Sequence, residues 1–320
     1  MDTSNNNSFL ISIIIPMKNE EANISRCLAS IEKLKKNIFL VEVIVVDNGS
    51  TDNGVEIARK LGAKVVINET LNVAGLRNYG ASIAKGTVFA FLDADCEVDT
   101  HWLVNALVYF EDLGIAAVGS TPEAPKNGNW VERSWSAFRT RREKSQQTAW
   151  INSSNFIVRR DVFHEVEGFS ETLETCEDVD IGYRISMKYS MIFDPNVRVI
   201  HYGEPRTLSE FYRKELWRGK NSFAGLKKHG FVLSEAKSLS IPIYYSIILL
   251  LLLISLFIGN YFFTMLFFWI LPAFVFSFLN FLKIRKFSFV VTLAVLFLIY
   301  AHARTFSLLH KYFDVSGHET

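Results

Sequence analysis

Four runs in the first hundred residues are apolar at nearly every position: ISIIIP (11–16), VEVIVVD (41–47), AKVVIN (63–68) and TVFAFLD (87–93). Short β-branched runs of this kind predict strands covered on both faces, the pattern of a parallel sheet. Between them the apolar period lengthens. EEANISRCLASIEKL sets Ile24, Leu28 and Ile31 on one helical face. STDNGVEIARKLG opens with capping residues and closes at Gly62, and NVAGLRNYGASIAKG also closes in glycine. The order βαβαβαβ predicts an α/β fold, an open twisted, mostly parallel sheet flanked by helices. IAAVGS (115–120) offers one more strand.

The pattern changes abruptly at Lys237. No residue is charged from there to Lys283, and two runs, IPIYYSIILLLLLISLFIG and YFFTMLFFWILPAFVFSFL, meet at Gly259-Asn260. A membrane helix needs roughly 20 apolar residues, so this stretch predicts a transmembrane hairpin. A third run, FSFVVTLAVLFLIYA, starts at Phe287 and is soon followed by His302 and Arg304. It is either a third span or an interfacial or re-entrant helix. Lys227, Lys228 and Lys237 precede the first run, and KIRK (283–286) follows the second. Basic flanks face the cytosol, which predicts a multi-pass protein of the inner (cytoplasmic) membrane with a cytosolic catalytic domain. If the third run spans, the C-terminus lies outside. The expected organisation is a disordered segment 1–8, an α/β domain 9–236, an α-helical anchor 237–310 and a tail 311–320.

Composition removes some alternatives. A net charge of +1 over 320 residues gives no reason to expect a nucleic-acid partner. Cys27, Cys96 and Cys176 are an odd, scattered set without zinc-ligand spacing, which fits reduced cytosolic thiols. MDTSNNNSF lacks the basic start and apolar core of a signal peptide.

In open α/β sheets ligands bind at the carboxyl ends of the strands. Here those ends read PMKNEE, DNGSTD and DADCE. Asp93 and Asp95 are two positions apart, so on a continuing extended backbone both face one way. Such a pair suits Mg²⁺ or Mn²⁺, whose shell is completed by substrate phosphates and water. The ion would neutralise charge on a departing diphosphate. Asp47 can accept from a base or ribose, and Arg77, after a flexible NVAGL loop, can contact the diphosphate. The competing reading of DADCE is a solvated acidic loop.

IIIPMKNEEANISRCLASI, VIVVDNGSTD, GLRNYGASIAKGTVFAFLDADCEV and GFSETLETCEDVDIGYRI resemble, in order and spacing, the family 2 glycosyltransferases of the GT-A fold, over roughly residues 9 to 220. The resemblance implies a nucleotide-sugar donor, a divalent metal and inversion at the anomeric carbon. By the same resemblance, Pro16, Asn19 and Glu20 line the nucleotide pocket, Asp47 contacts the base, and Arg77 is the basic residue of the RNxG segment. Asp93 and Asp95 match the DxD pair, with Asp95 the direct metal ligand. Glu177 and Asp178 match the ED motif, with Asp178 the general base. The dipole of a helix starting there favours its ionised form. His201 matches a position where some relatives supply a further metal ligand.

Polymerising members of the family carry Q-x-x-R-W after the ED helix. EFYRKELWRGKNS has Trp217 and Arg218 in the other order and no matching Gln, which argues against processive synthesis. Trp217 either lines the acceptor site or packs the domain on the membrane. RTRREK (139–144) is either a lipid-phosphate site or a solvated helix face, and NWVERSWSAF (129–138) an acceptor lid or an interfacial helix. The expected activity is transfer of a single sugar, most simply from a UDP-sugar, to a lipid-linked or polysaccharide acceptor beside membrane lipid. A catalytically inactive nucleotide-binding scaffold of a glycan-assembly complex is the alternative. A nucleotidylyltransferase would need a Gly-rich basic loop that PMKNEE does not supply.

Overall fold

The computed structural model describes residues 9–34, 39–140, 144–220, 233–259, 261–284 and 287–313. Residues 1–8, Lys227, Lys228, Arg285, Lys286, 141–143 of the basic cluster and 314–320 lie outside them. Two compact units emerge: Met1–Pro125 with Arg142–Gly203, and Lys126–Arg141 with Glu204–Thr320.

The first unit is built on β1 (Phe9–Met17), β2 (Phe39–Asp47), β3 (Lys64–Ile67), β4 (Val88–Leu92), β5 (Cys96–Val98), β6 (Ile115–Gly119), β7 (Gln146–Gln147), β8 (Asn155–Arg159), β9 (Ser190–Phe193) and β10 (Val199–His201). Eight of these form a sheet in the order β3-β2-β1-β4-β8-β6-β9-β7. The four long apolar runs make its parallel half, β3-β2-β1-β4. β8 then pairs antiparallel with both β4 and β6, so the sheet is mixed, and IAAVG is a strand that does not adjoin β4. β5 and β10 form a separate antiparallel ribbon.

Helices α1 (Glu21–Glu32), α2 (Gly54–Lys60), α3 (Val73–Ser82), α4 (Trp102–Leu107), α6 (Arg160–Glu165) and α7 (Glu177–Ser186) belong to this unit, and α5 (Trp130–Arg139) to the second. On one sheet face Ile13, Ile15 and Ala90 pack with Ile24, Leu28 and Ile31 of α1. On the other, Ile14, Phe89 and Phe91 pack with Ala74, Phe163 and Phe169. Burial on both faces explains the unbroken apolar runs. α3 lies so close to β1 that a Cβ on Gly80 would stand 2.5 Å from Ile14 Cγ2.

The starts of α1 and α2 are crossed. The Glu21 N–H donates to Asp52 at 2.8 Å, and the Glu21 carboxylate accepts from Asn53 N and Nδ2 at 3.2 and 3.0 Å. Each helix start thus takes an acceptor from the start of the other, and Asp52 also accepts from the Gly54 N–H of its own α2 at 3.0 Å. Asn72 caps α3 by accepting from Gly75 N at 2.9 Å. NVAGL is therefore the cap and first turn of α3 rather than a flexible loop. α3 ends at Ser82, before Gly86.

The second unit contains α5, α8 (Leu208–Gly219), α9 (Leu233–Ile258), α10 (Phe262–Ile284) and α11 (Ser288–Phe313). Three segments, Ser240–Ile258, Phe262–Leu282 and Ser288–Ser307, are long and apolar enough to cross a membrane. These apolar helices support membrane association of the chain. Gly259, at φ 77°, breaks α9 from α10. NWVERSWSAF forms α5 with its Asn129–Glu132 capping box. Trp135 packs within 4.9 Å of Phe211 and 5.5 Å of Tyr300, ring centre to ring centre.

Candidate active site

β1 and β2 end side by side, with Met17 opposite Asp47. Pro16 is buried in β1, beyond the last β4 pair at Ile14, where a missing N–H costs no bond on that side. Asn19 follows with a left-handed backbone, φ 54°. Its Oδ1 accepts from Thr51 N at 2.8 Å and its N–H donates to Ser50 Oγ at 2.8 Å, tying the first loop to the second. Asp47 is 1% exposed and accepts from the Ser50 N–H and hydroxyl. Its carboxylate holds the loop in shape, an inward role that spacing alone did not reveal.

β4 stops at Leu92, and Cys96 N–H bonds back to Asp93 O at 3.1 Å. The backbone turns here instead of continuing extended, so Asp93 and Asp95 do not share partners. Asp93 accepts from Arg77 Nη2 at 2.8 Å, whereas Asp95 Oδ1 lies 3.3 Å from His201 Nε2.

Arg77 is 2% exposed. Besides Asp93 it donates through Nη1 to Glu177 Oε1 at 2.9 Å, and its guanidinium lies 5.6 Å from the Phe169 ring centre. Burial opposes its charge, but Asp93 and Glu177 more than offset this and hold it protonated. A diphosphate contact was expected from sequence; the structure instead shows a buried strut joining the DADCE turn to the start of α7. Glu177 also accepts from Ser153 Oγ at 3.0 Å.

Asp178, the second residue of α7, is half-buried. Its Oδ1 accepts from Val179 N at 2.9 Å, and no other side chain among the described residues donates a hydrogen bond to it. Desolvation, reinforced by Glu177, pushes its carboxyl up to about 7, against the Val179 N–H and Arg77. The helix dipole was expected to favour the ionised form; loss of water outweighs it here. α7 is launched by Cys176 at φ 67°, a conformation rare outside glycine.

A second cluster forms where β5 meets β10. His201 pairs with Cys96 across the ribbon, and one ligand atom each from Asp95, Cys96 and His201 lie within 4.8 Å of one another. Burial and then Asp95 and Asp93 raise the Cys96 thiol well above its usual value, which favours the protonated form over the thiolate that binds metal. The carboxylate and imidazole nitrogen that remain suit a divalent ion such as Mn²⁺ and leave positions for phosphate oxygens. Gly203 closes the cradle: a Cβ there would stand 1.9 Å from Asp95 Oδ2. Glu20 faces the same region, and burial, with the fields of Asp95 and Asp93, raises its carboxyl above the usual range. Gly203, Ser153 and the Cys96 contact were not found from sequence, because each acts through a tertiary neighbour.

This geometry resembles known proteins. The sequence model of the family described as Glycosyl transferase family 2 matches residues 12–167. Glycosyltransferase AglE of Haloferax volcanii is 30% identical over 221 residues, covering 66% of this chain and 72% of that protein. The chain belongs to glycosyltransferase family 2. The pre-mycofactocin glycosyltransferase of Mycobacterium tuberculosis is 25% identical over 224 residues, 65% of this chain but 46% of that longer protein. Among solved structures, the mannosyltransferase PcManGT of Pyrobaculum calidifontis, in complex with GDP-Man and Mn²⁺, superposes with a TM-score of 0.67 at 18% identity. The match covers 97% of this chain and 88% of that one. That likeness shows the GT-A fold. In this glycosyltransferase Trp217 and Arg218 lie on α8 of the second unit. Trp217 is 44% exposed, and Arg218 Nη1 donates to Glu215 at 2.6 Å.

Proposed function

We propose that the chain is a membrane-anchored, inverting glycosyltransferase that moves one sugar from a nucleotide-sugar to a lipid-linked or polysaccharide acceptor. The observation that carries this reading is the pair at the start of α7. Glu177 is engaged by Arg77 and Ser153, while Asp178 beside it has no such partner and is pushed up to about 7. A carboxylate poised near neutrality suits a general base, worth about 10²–10⁴-fold.

In the proposed reaction Asp178 takes the proton of the acceptor hydroxyl. The acceptor oxygen attacks the anomeric carbon from the face opposite the diphosphate. The glycosidic bond to the diphosphate breaks, the nucleoside diphosphate leaves with the electron pair, and configuration inverts. A divalent ion held by Asp95 and His201, with Asp93 nearby, would supply positive charge for the leaving diphosphate. The preferred ion is Mg²⁺ or Mn²⁺; PcManGT and GalNAc-T7 were both solved with Mn²⁺. Pro16, Asn19, Glu20 and Asp47 form the wall assigned to the nucleotide. Arg77 keeps Asp93 and Glu177 in register, and Trp217 and Arg218 are assigned to the acceptor side. The donor is proposed to be a UDP-sugar, the nucleotide named for GalNAc-T7, with a GDP-sugar the other outcome to test.

The domain limits 9–236 and 237–310, the inner (cytoplasmic) membrane and a cytosolic active site belong to the same proposal. They rest on the apolar helices and their basic flanks. The test is calorimetric binding of UDP, GDP, dTDP and CDP, with and without Mn²⁺, to the detergent-solubilised chain and to Asp95→Asn. Metal-dependent binding of one nucleotide, lost in the variant, supports the reading. No binding of any nucleotide by folded protein refutes the donor site and leaves the scaffold reading without its ligand as well.

A further inference from the structure

The three apolar helices of the second unit differ in what covers them. In the hairpin of α9 and α10, Ser255 is the one buried residue among those described between Leu249 and Pro272. That half presents Leu250, Leu253, Phe257, Phe263 and Phe267 outward, with none of the described residues covering them. A length of bare apolar helix pair is what acyl chains solvate.

α11 is the opposite case. Leu293, Leu296, Phe297, Ala301 and Ala303 are all buried. Among the described residues its ring contacts and hydrogen bonds with the hairpin fall in the half away from the Gly259 turn. Phe297 stacks on Phe276 at 4.3 Å and lies 6.4 Å from Tyr245, ring centre to ring centre. Thr305 Oγ1 reaches Pro242 O at 3.5 Å. Phe297 and Thr305 are separated by about 12 Å of helix, but their partners Tyr245 and Pro242 by only about 4.5 Å. α11 therefore crosses α9 obliquely and leaves the turn half of the hairpin uncovered.

The other side of α11 is covered by α5 and α8. Ser134 Oγ donates to Thr292 at 2.9 Å, Arg304 Nη2 donates to Glu215 at 3.0 Å, and a Cβ on Gly219 would stand 2.0 Å from Ser307 Oγ. From Thr292 to Ser307 is about 22 Å of helix, most of a hydrocarbon core about 30 Å thick. If α11 crossed that core, α5 and α8 would enter it beside α11. Glu132, Arg139, Glu215 and Arg218 would be carried in with them, and ionised side chains are strongly disfavoured in a hydrocarbon core.

We infer that α11 is not a third crossing. It lies across the near end of the hairpin, sandwiched between that end and α5 with α8, and seats in one leaflet. Its apolar sequence is that of a helix buried among protein neighbours. The chain then crosses the bilayer twice, and α11 lies on the same side as the start of α9. The partner of this surface is a single lipid leaflet, and the inference rests on the membrane reading above.

The test uses the full chain in cells. Reporters of sidedness are fused at Met1 and at Thr320, and Tyr261→Cys at the hairpin turn is labelled with a membrane-impermeant maleimide, with the unsubstituted chain as background. The expected result is Met1 and Thr320 on one side and residue 261 on the other. Thr320 opposite Met1 overturns the inference while leaving the membrane reading intact. All three on one side means that the hairpin does not cross, and the membrane reading falls with the inference. A second readout is Arg304→Leu. In the sandwich it removes one of the two arginines that hold buried Glu215, leaving Arg218, and lowers the melting temperature of the solubilised protein; an unchanged or raised melting temperature is the outcome for a lipid-facing helix and overturns the inference.

Discussion

Arg77 carries the sharpest prediction. Replacing it with Met keeps the length of the side chain and removes the guanidinium. Two carboxylates lose their partner at once: Asp93 at 2.8 Å and Glu177 at 2.9 Å. Glu177 is buried and keeps only Ser153; Asp93 is more open and can rehydrate. Removing one partner of a buried pair costs about 3–5 kcal/mol. In a unit of this size each kcal/mol shifts the midpoint by about 2–4 °C, so Arg77→Met is expected to melt about 6–20 °C lower. The assay is thermal unfolding of the detergent-solubilised chain at pH 7.5, beside initial rates at varied donor concentration. Turnover should fall, because Glu177 and its neighbour Asp178 lose their register. Arg77→Lys should recover only part of the loss, since an ammonium lacks the fork that reaches both carboxylates. An unchanged melting temperature with a donor KM raised at constant kcat would refute the strut and restore the diphosphate contact suggested by sequence.

Asp178→Asn should abolish transfer while nucleotide binding survives, measured by product formation and calorimetry on the same sample. In the unsubstituted enzyme kcat/KM should climb as pH rises through about 7, as Asp178 loses its proton. Stability should move the other way. A folded-state pKa above the unfolded value favours the protonated form, so that stabilisation is present at low pH and is lost as pH rises through about 7. Urea midpoints between pH 5.5 and 8.5 should show this slope, and Asp178→Asn should flatten it. Gly203→Ala drives a methyl into Asp95 and is expected to weaken Mn²⁺-dependent nucleotide binding by about 10–100-fold, as for other residues that orient a ligand. EDTA should remove nucleotide binding and added Mn²⁺ restore it; restoration in Asp95→Asn equal to that in the unsubstituted chain would show that Asp95 does not hold the ion.

β1, β2 and β4 could be read from sequence because each carries an apolar run buried on both faces, whereas β3, a four-residue edge strand with both ends exposed, showed only as a β-branched run. NFIVR and SMIF were not legible. Each is short, and each enters the sheet through a neighbour remote in the chain. At the site, the acids of DADCE were found from their chemistry and those of CEDVD through the family resemblance, but their directions were not. The turn after Leu92 sends Asp93 to Arg77 and Asp95 to His201. The Arg77–Glu177 contact links residues 100 positions apart. No local pattern encodes such a pair, nor the desolvation that shifts Asp178.

The crossed helix starts of Glu21 and Asp52 bear on how the molecule assembles. A peptide containing α1 alone lacks Asp52 at its N-terminus, and one containing α2 alone lacks Glu21. Neither helix gains its full end until β1 and β2 lie side by side in the correct register. The two βα units therefore vouch for each other during folding. A strand slipped by one residue would displace both acids together and break the bonds that cross between the helix starts, so a mispaired intermediate is penalised before the sheet is complete.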